Sequence, residues 1–450
     1  MENKYRSYVT VMPCVLRADQ QKKSITIHPR QEHVRKVFDK IGQIRVMRIG
    51  GPVHEFLDWM QNSEPVDFSR SENGDLTLYT ETPVEGAYSI CLGNIDKDGV
   101  FTEQAAFKVY ALRDDLFRLR PFKGDFHMHS NGSDGQESPA YMAATNRKAG
   151  FDFMALTDHD WYEPSLAARD AMADFGCDML VCPGEEVHLP NNEVHIVNFG
   201  GSSSVNQMVR DNREQYFAGV KEYEKSVPEN YDPDTRFQVA ASEWTFDRIR
   251  ETGGLSVFCH PYWFYRHHNH IGEDVIELLM ERTKFDAVEV VGGCRIYTDW
   301  NMLCMARWQE FLANGKRIPV VGVSDSHCGD NGMTGWYYTV VFAEKLTFES
   351  IAEAIRDNRS VAVHWIPNTY PTVVGSYRLV RFTFFLLREF YPWHDELCRI
   401  EGEIIRRGLA GEEDAAAQLA ARKGAVPRFI EQCWEQISPK PADCNVSGQE

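Results

Sequence analysis

From residue 1 to about 115 the chain runs in short stretches where β-branched and aromatic residues alternate with polar ones: SYVTVMPCVL, KSITIHP, DLTLYTET, GAYSICLGNI and AAFKVYAL. A period of two puts successive side chains on opposite faces, so each run predicts a half-buried strand. Breaks such as ENGD and DKDG carry the residues that turns prefer. A series of this kind packs as an all-β sandwich. No cluster of His, Cys or carboxylates falls within it at a catalytic spacing.

From about 122 the texture changes. Short apolar runs, GDFHMH, FDFMALTD, DMLVCPGEE, EVHIVNFG, GLSVFCH, FDAVEVVGG and RIPVVGVSD, alternate with helical stretches such as SPAYMAATNRKAG, SLAARDAMADFG and WNMLCMARWQEFLANGK. Ser138 before Pro139 makes an N-cap and first turn, and Gly150, Gly176 and Gly315 stand where helices stop. Repeated β-then-α units predict a parallel sheet or barrel with right-handed crossovers. About seven strands suit a (β/α) barrel. Beyond 370, SYRLVRFTFFLLREF and DELCRIEGEIIRRGLAGEEDAAAQLAARKG read as helices, and the last dozen residues as disordered. The expected fold class is therefore α/β, with a β-sandwich over 1–118, a barrel over 119–370 and a helical extension over 371–450. FTFFLL is too short to cross a membrane.

Nearly every apolar run of the second region ends in residues of metal-ligand type. His127 and His129 end the first, Asp158 and His159 the second, Glu185 and Glu186 the third. His195 lies inside the fourth, His260 ends the fifth, and Asp325 with His327 ends the seventh. In a parallel αβ barrel the C-terminal strand ends converge on one face, so these side chains can meet in one cavity. His127/His129 and Asp325/His327 share an i, i+2 spacing that points both members to one face of a strand. Imidazole with carboxylate suits Zn, Mn or Fe, and a carboxylate such as Glu186 can bridge two ions. One such pair is an ordinary occurrence; a set repeated around one barrel is not.

Composition narrows the classes further. The chain has 450 residues, 43% hydrophobic and 25% charged, which excludes global disorder. Its net charge is −18. An acidic surface repels nucleic acid and anionic membranes, so stable binding to either is not expected. A phosphate-bearing substrate then needs a local positive site such as a bound metal. The 11 cysteines include no C-x-x-C pair, and the start MENKYRSYVT has no apolar signal region. Free thiols in a reducing cytoplasm are the expectation.

The same residues carry a family resemblance. GDFHMHSNGSDG (124–135), ALTDHD (155–160), PGEEV (183–187), EVHIVNFG (193–200), FCHP (258–261) and GVSDSH (322–327) are similar, in order and spacing, to motifs of the PHP (polymerase and histidinol phosphatase) superfamily of metal-dependent phosphoesterases. A β-domain running into K-G-D-x-H-x-H resembles the branch that includes carbamate and aryl-ester hydrolases beside phosphoesterases. The resemblance implies a distorted seven-stranded barrel holding two to three divalent ions, Mn, Fe or Zn. It implies that His127, His129, Glu186 and Asp325 hold the first ion, with Glu186 bridging to a second on His195 and His260. Asp134, His159 and His327 would hold the third. Asp134 stands where many relatives carry His, and Glu186 is preferred to Glu185 on the family's G-x-E spacing from Gly184.

The remaining candidates have two readings each. Asp158 either protonates a leaving group or orients a ligand histidine. Arg295 is either a clamp on phosphate or a surface arginine. RHHNH (266–270) is a rim loop touching substrate or a solvated one, and Trp161, Tyr262 and Trp263 either stack on substrate or pack. The expected function is hydrolysis of a phosphate ester by a metal-activated water. The substrate would be a small phosphomonoester or a nucleotide or oligonucleotide end. A carboxylic- or carbamate-ester hydrolase is the alternative, and a non-catalytic binding protein with a vestigial barrel is a third. The complete ligand set argues against the last.

Overall fold

The computed structural model describes residues 5–51, 63–293, 299–330 and 332–436. The chain divides into two compact units, Met1–Phe117 with Pro427–Glu450, and Arg118–Val426. The segment expected as one C-terminal extension is thus shared between them.

In the first unit, β1 (Val9–Met12), β3 (Asp19–Pro29), β6 (Leu76–Thr82) and β5 (Phe68–Arg70) form one four-stranded sheet. The other contains β2 (Val15–Arg17), β8 (Phe101–Leu112), β7 (Gly86–Ile95) and β4 (Gln43–Arg48). Alternation along β3 and β6 buries Ile25, Ile27, Leu76 and Leu78. They share one core with Ile44, Ile90, Leu92, Phe107 and Val109 of the other sheet and with Phe38 of helix Glu32–Phe38. The two-residue period is the direct cause of this two-layer packing.

The second unit is mixed α/β. Its strands are β9 (Arg120–Asp125), β10 (Phe153–Ala155), β11 (Leu180–Cys182), β12 (Gly184–Val187), β13 (Ile196–Phe199), β14 (Leu255–Phe258), the hairpin β15 (Phe264–Tyr265) and β16 (His268–Asn269), β17 (Ala287–Val291), β18 (Val320–Gly322), β19 (Tyr337–Ala343), β20 (Ser360–His364) and β21 (Thr372–Val374). A six-stranded sheet has the order β11-β10-β9-β19-β20-β21, and a five-stranded sheet the order β12-β13-β14-β17-β18.

This pairing departs from a parallel ring of seven strands. Pro183 splits the run DMLVCPGEE, so that β11 and β12 belong to different sheets. Segment 188–195 is too short for a crossover helix, and β13 therefore runs antiparallel to β12. It is antiparallel to β14 as well. The later strands β19, β20 and β21 add antiparallel pairings that the β-then-α reading did not contain. Parallel pairing survives in β9-β10-β11 and in β14-β17-β18. Side chains make the seam between the sheets: Thr339 Oγ1 donates to Gly322 O at 2.8 Å, and Ser360 Oγ donates to Val320 O at 2.8 Å.

Helices Tyr377–Phe385 and Tyr391–Leu409 are joined by a π-helical turn, Leu386–Phe390. Helix Tyr391–Leu409 lies so close to helix Pro139–Lys148 that a Cβ on Gly402 would come within 2.3 Å of Lys148 N. Buried ion pairs fix this contact. Arg147 donates to Glu401 Oε2 from Nε at 2.9 Å and Nη2 at 2.6 Å. His394 stands between Asp152 (Nε2–Oδ1 2.9 Å) and Asp395 (Nδ1–Oδ1 3.0 Å). Among the described residues no helix is long and apolar enough to cross a membrane.

Burial opposes a charge on His394, yet Asp152 and Asp395 hold the imidazole well above its ordinary range. Such a group adds stability that is complete below its unfolded value, about pH 6.5, and is lost as pH rises toward the folded value. In that window its contribution falls by about 1.4 kcal/mol per pH unit. Urea unfolding measured from pH 6.5 upward is expected to show the decline in the wild type and a flatter profile in His394→Gln. Equal slopes in the two proteins would remove the protonated histidine from this account.

Candidate metal centre

Strand directions explain how distant residues meet. His127 and His129 follow β9, His159 follows β10, Glu186 lies on β12, His260 follows β14, and Asp325 and His327 follow β18. His195 precedes β13, but β13 runs backwards, and Ile196 pairs with Val187 at the end of β12 and Phe258 at the end of β14. The start of this strand therefore shares a rim with the ends of its neighbours.

Glu186, fully buried, is the middle of the cluster. Its Oε2 lies 2.9 Å from His159 Nδ1, 3.3 Å from His127 Nε2 and 3.4 Å from His129 Nε2. Its Oε1 lies 2.8 Å from His195 Nδ1 and 3.5 Å from His260 Nε2. Asp325 Oδ1 stands 2.9 Å from His129 Nε2 and 3.4 Å from His127 Nε2. On the outer side, Asp134 Oδ2 is 3.2 Å from His327 Nε2 and 3.6 Å from His159 Nε2. The structure thus brings together every ligand residue named from the sequence.

His129 Nε2 and Asp325 Oδ1 form a hydrogen bond at 2.9 Å, but the contacts of Glu186 are not ordinary hydrogen bonds. Neither oxygen of Glu186 accepts one, and His127 Nε2, His129 Nδ1, His195 Nδ1 and His260 Nδ1 are buried in the same condition. A buried charge without compensation costs several kcal/mol. Two ligands on one ion, each about 2.0–2.2 Å from it, stand roughly 3.0–3.4 Å apart, close to several of these separations. Unbonded imidazole and carboxylate lone pairs crowded at that spacing fit divalent cations.

The electrostatics agree. Burial would raise the Glu186 carboxyl, but His127 and His195 hold it well below the usual carboxylate range. Burial pushes His195 down to about 3, leaving a neutral ring able to coordinate. Burial opposes a charge on His159 too, but Glu186 and Asp134 raise it to about 9. The backbone is bent where ligands must turn in: φ is 24° at His260 and 50° at Asp325. Such conformations cost about 1–3 kcal/mol in a non-glycine residue and collect at functional sites.

Around the unbonded ligands sits a set of fully bonded supports. Asp158 Oδ1 accepts from Ser130 N (2.8 Å) and Ser133 Oγ (2.7 Å), and its Oδ2 accepts from Ser130 Oγ (2.8 Å). Both oxygens are committed to the turn that carries Asp134. This corrects the proton-donor reading of Asp158, and its direct contacts are with that turn, not with a ligand histidine. Glu185 points away from Glu186: it accepts from Val205 N (2.5 Å), Ser204 Oγ (2.5 Å), Asn198 Nδ2 (3.2 Å) and Asn206 Nδ2 (3.1 Å). Arg295 lies outside the described residues. Of RHHNH, His270 comes within 5.2 Å of the His195 ring, centroid to centroid. Trp263 packs on His260 and His195, Tyr262 is buried beside Arg307 and Glu273, and Trp161 lies under the Arg210 guanidinium.

Sequence reasoning passed over three residues. Glu289, buried on β17, places Oε2 3.3 Å from His127 Nδ1 and accepts from His260 N at 3.2 Å, so it orients two ligand positions. Gly292 makes room for it, since a Cβ there would fall 2.1 Å from Glu289 Oε1. The signal was a lone charge in the apolar run AVEVV. Asp125 accepts from Ser324 N (3.1 Å) and His127 N (3.3 Å), tying the ends of β9 and β18 together. The third is His188, 3.5 Å from Glu186 Oε1.

Fold and cluster together define the class, an imidazole–carboxylate cluster suited to divalent metal at the rim of a mixed α/β unit. No family model matches the chain. A segment of 48 residues is 48% identical to the DNA polymerase/3'-5' exonuclease PolX of Bacillus subtilis (strain 168), covering 11% of this chain and 8% of that protein. Among solved structures, a two-domain protein of Bacteroides vulgatus ATCC 8482 containing a predicted PHP-like metal-dependent phosphoesterase is 20% identical, with a TM-score of 0.42 over 60% of this chain and 71% of that one. An amidohydrolase from Chromobacterium violaceum is 18% identical, with a TM-score of 0.32 over 46% of this chain and 89% of that one. In its ordered motifs and its converged imidazoles and carboxylates the second unit resembles the PHP superfamily.

Metal content and urea unfolding separate the adjacent glutamates. Glu186→Gln is expected to stay folded and lose more than one equivalent of metal. Glu185→Gln should keep its metal and lose about 1–3 kcal/mol of stability, because an amide NH2 would face groups that donate. The opposite pattern would move the bridge by one residue. By chelator competition, Glu289→Gln should weaken metal binding about 10–100-fold; unchanged affinity would deny it an orienting role.

Proposed function

We propose that the second unit is a metal-dependent hydrolase of phosphate esters, acting on a small phosphomonoester or on a nucleotide or oligonucleotide end. One observation carries this reading: a fully buried carboxylate, Glu186, accepts no hydrogen bond and is ringed by imidazoles. We read the two sheets as an opened form of the distorted seven-stranded barrel, with two to three ions, Mn, Fe or Zn, at its rim. His127, His129 and Asp325 would hold one, His195 and His260 another across Glu186, and Asp134, His159 and His327 a third.

Ions at these positions supply Lewis acidity toward a phosphoryl oxygen and an activated water. The chain supplies the rest. Glu289 fixes the His127 ring, and Asp158 fixes the turn bearing Asp134. A cleft of about 680 Å³ opens beside His188 and His195, lined also by Arg210, Arg213 and His270. Asp160 and Glu193 in the same lining offset the two arginines, so in a chain of net charge −18 the preference for an anionic substrate over a neutral ester rests on the bound cations. A larger groove of about 1060 Å³ lies in the first unit, but its lining has no imidazole or thiol, and volume without such groups supports no hydrolysis. The Bacillus subtilis protein's name records a 3'-5' exonuclease, the same class of bond.

Manganese-reconstituted protein is expected to hydrolyse p-nitrophenyl phosphate or bis(p-nitrophenyl) phosphate, to lose that activity with EDTA, and to leave p-nitrophenyl acetate at background. Turnover of the acetate alone would shift the reading to carboxylic or carbamic esters. A metal-loaded protein inert on all three would point to binding without catalysis.

A further inference from the structure

One imidazole inside the centre belongs to none of the ligand sets above. His188 comes two residues after Glu186, directly beyond β12. That is the same i, i+2 spacing as in His127/His129 and Asp325/His327, and on extended chain it projects both side chains from one face. His188 Nε2 lies 3.1 Å from His159 Nδ1 and 3.5 Å from Glu186 Oε1. One ligand atom from each of His159, Glu186 and His188 lies within 4.8 Å of the others.

The position is held as a ligand position must be. His188 N donates to Asn206 Oδ1 at 3.0 Å, and Asn206 Nδ2 donates in turn to Glu186 O at 3.0 Å. A single buried asparagine therefore sets the separation between Glu186 and His188. The ring is further confined by His195, centroid to centroid 4.0 Å. Two imidazole nitrogens 3.1 Å apart either share one proton or face a common cation, and the adjacent unbonded carboxylate favours the cation.

We propose that His188 is a metal ligand, sharing with His159 and Glu186 an ion on the cleft side of the centre. The inference rests on the metal-hydrolase reading above and sharpens it. Two imidazoles and one carboxylate are the ligand count of a catalytic site that keeps a coordination position open. The His188 side chain is 29% exposed and lines the cleft with Arg210, Arg213, Asp160 and Glu193, so an ion held there would stand beside the space open to substrate. His159 is then drawn toward Glu186 and away from the outer pair, Asp134 and His327.

The test compares wild type with His188→Ala and His188→Gln after zinc reconstitution and desalting. Bound metal is counted by mass spectrometry, and cobalt-substituted protein is read by its visible absorption. Each variant is expected to hold about one equivalent less than wild type and to show a weaker, shifted cobalt spectrum, with far-UV circular dichroism unchanged. His188→Gln stays close to imidazole in volume and keeps the backbone contact to Asn206, so it carries the comparison if His188→Ala misfolds. Wild-type stoichiometry and an unaltered cobalt spectrum in a folded variant would overturn the role of His188 alone. A wild-type protein that takes up no metal would overturn the hydrolase reading beneath it.

Discussion

A carboxylate taken out of water and given no hydrogen-bond donor is the constraint on which the rest of the second unit depends. Burying an uncompensated Glu186 would cost several kcal/mol, and the chain offers it only imidazoles. Those imidazoles crowd one another as well, with the His129 ring 4.3 Å from that of His159 and 4.2 Å from that of His327. Divalent cations resolve both problems at once, since they neutralise the carboxylate and require the rings in their neutral form. The division of labour among polar residues follows from this. Both oxygens of Glu186 and several ligand nitrogens are left unbonded, while Asp125, Asp158 and Asn206 bond to the backbone that carries the ligands and Glu185 ties β12 to residues 198–206.

Topology serves the same end. A uniformly parallel sheet would place His195 at the opposite rim, because it precedes its strand. Reversing β13 between β12 and β14 brings it to the ligand side. The reversal follows from the brevity of the 188–195 segment, which also carries His188. One short connection therefore changes the sheet from parallel to mixed and supplies both an expected and an unexpected imidazole.

How much of this was legible in the sequence depends on the kind of signal. Alternation in the first unit announced its paired sheets, because burial on one face of a strand writes itself into a two-residue period. The ligands were legible because hydrophobic strands rarely end in His, Asp or Glu, and the same ending recurred along the chain. Direction of pairing was not legible: short apolar strands read alike whether parallel or antiparallel, so β12–β14 and β19–β21 differed from expectation. Asp158 looked like the ligands beside it, and only its bonds to Ser130 and Ser133 reveal a support. His188 and Glu289 were hidden for opposite reasons, the first beyond a strand end already counted, the second inside an otherwise apolar strand. Both carried a trace, an E-x-H spacing and a single charge in AVEVV.

The central claim is that Glu186 bridges ions, and anomalous diffraction from crystals of the metal-loaded protein tests it most directly. The account predicts at least two anomalous peaks about 3.5–4 Å apart, one against each oxygen of Glu186, with His127, His129 and Asp325 around the first and His195 and His260 around the second. A single peak remote from Glu186, or a fully metal-loaded crystal with no peak against its carboxylate, would contradict it.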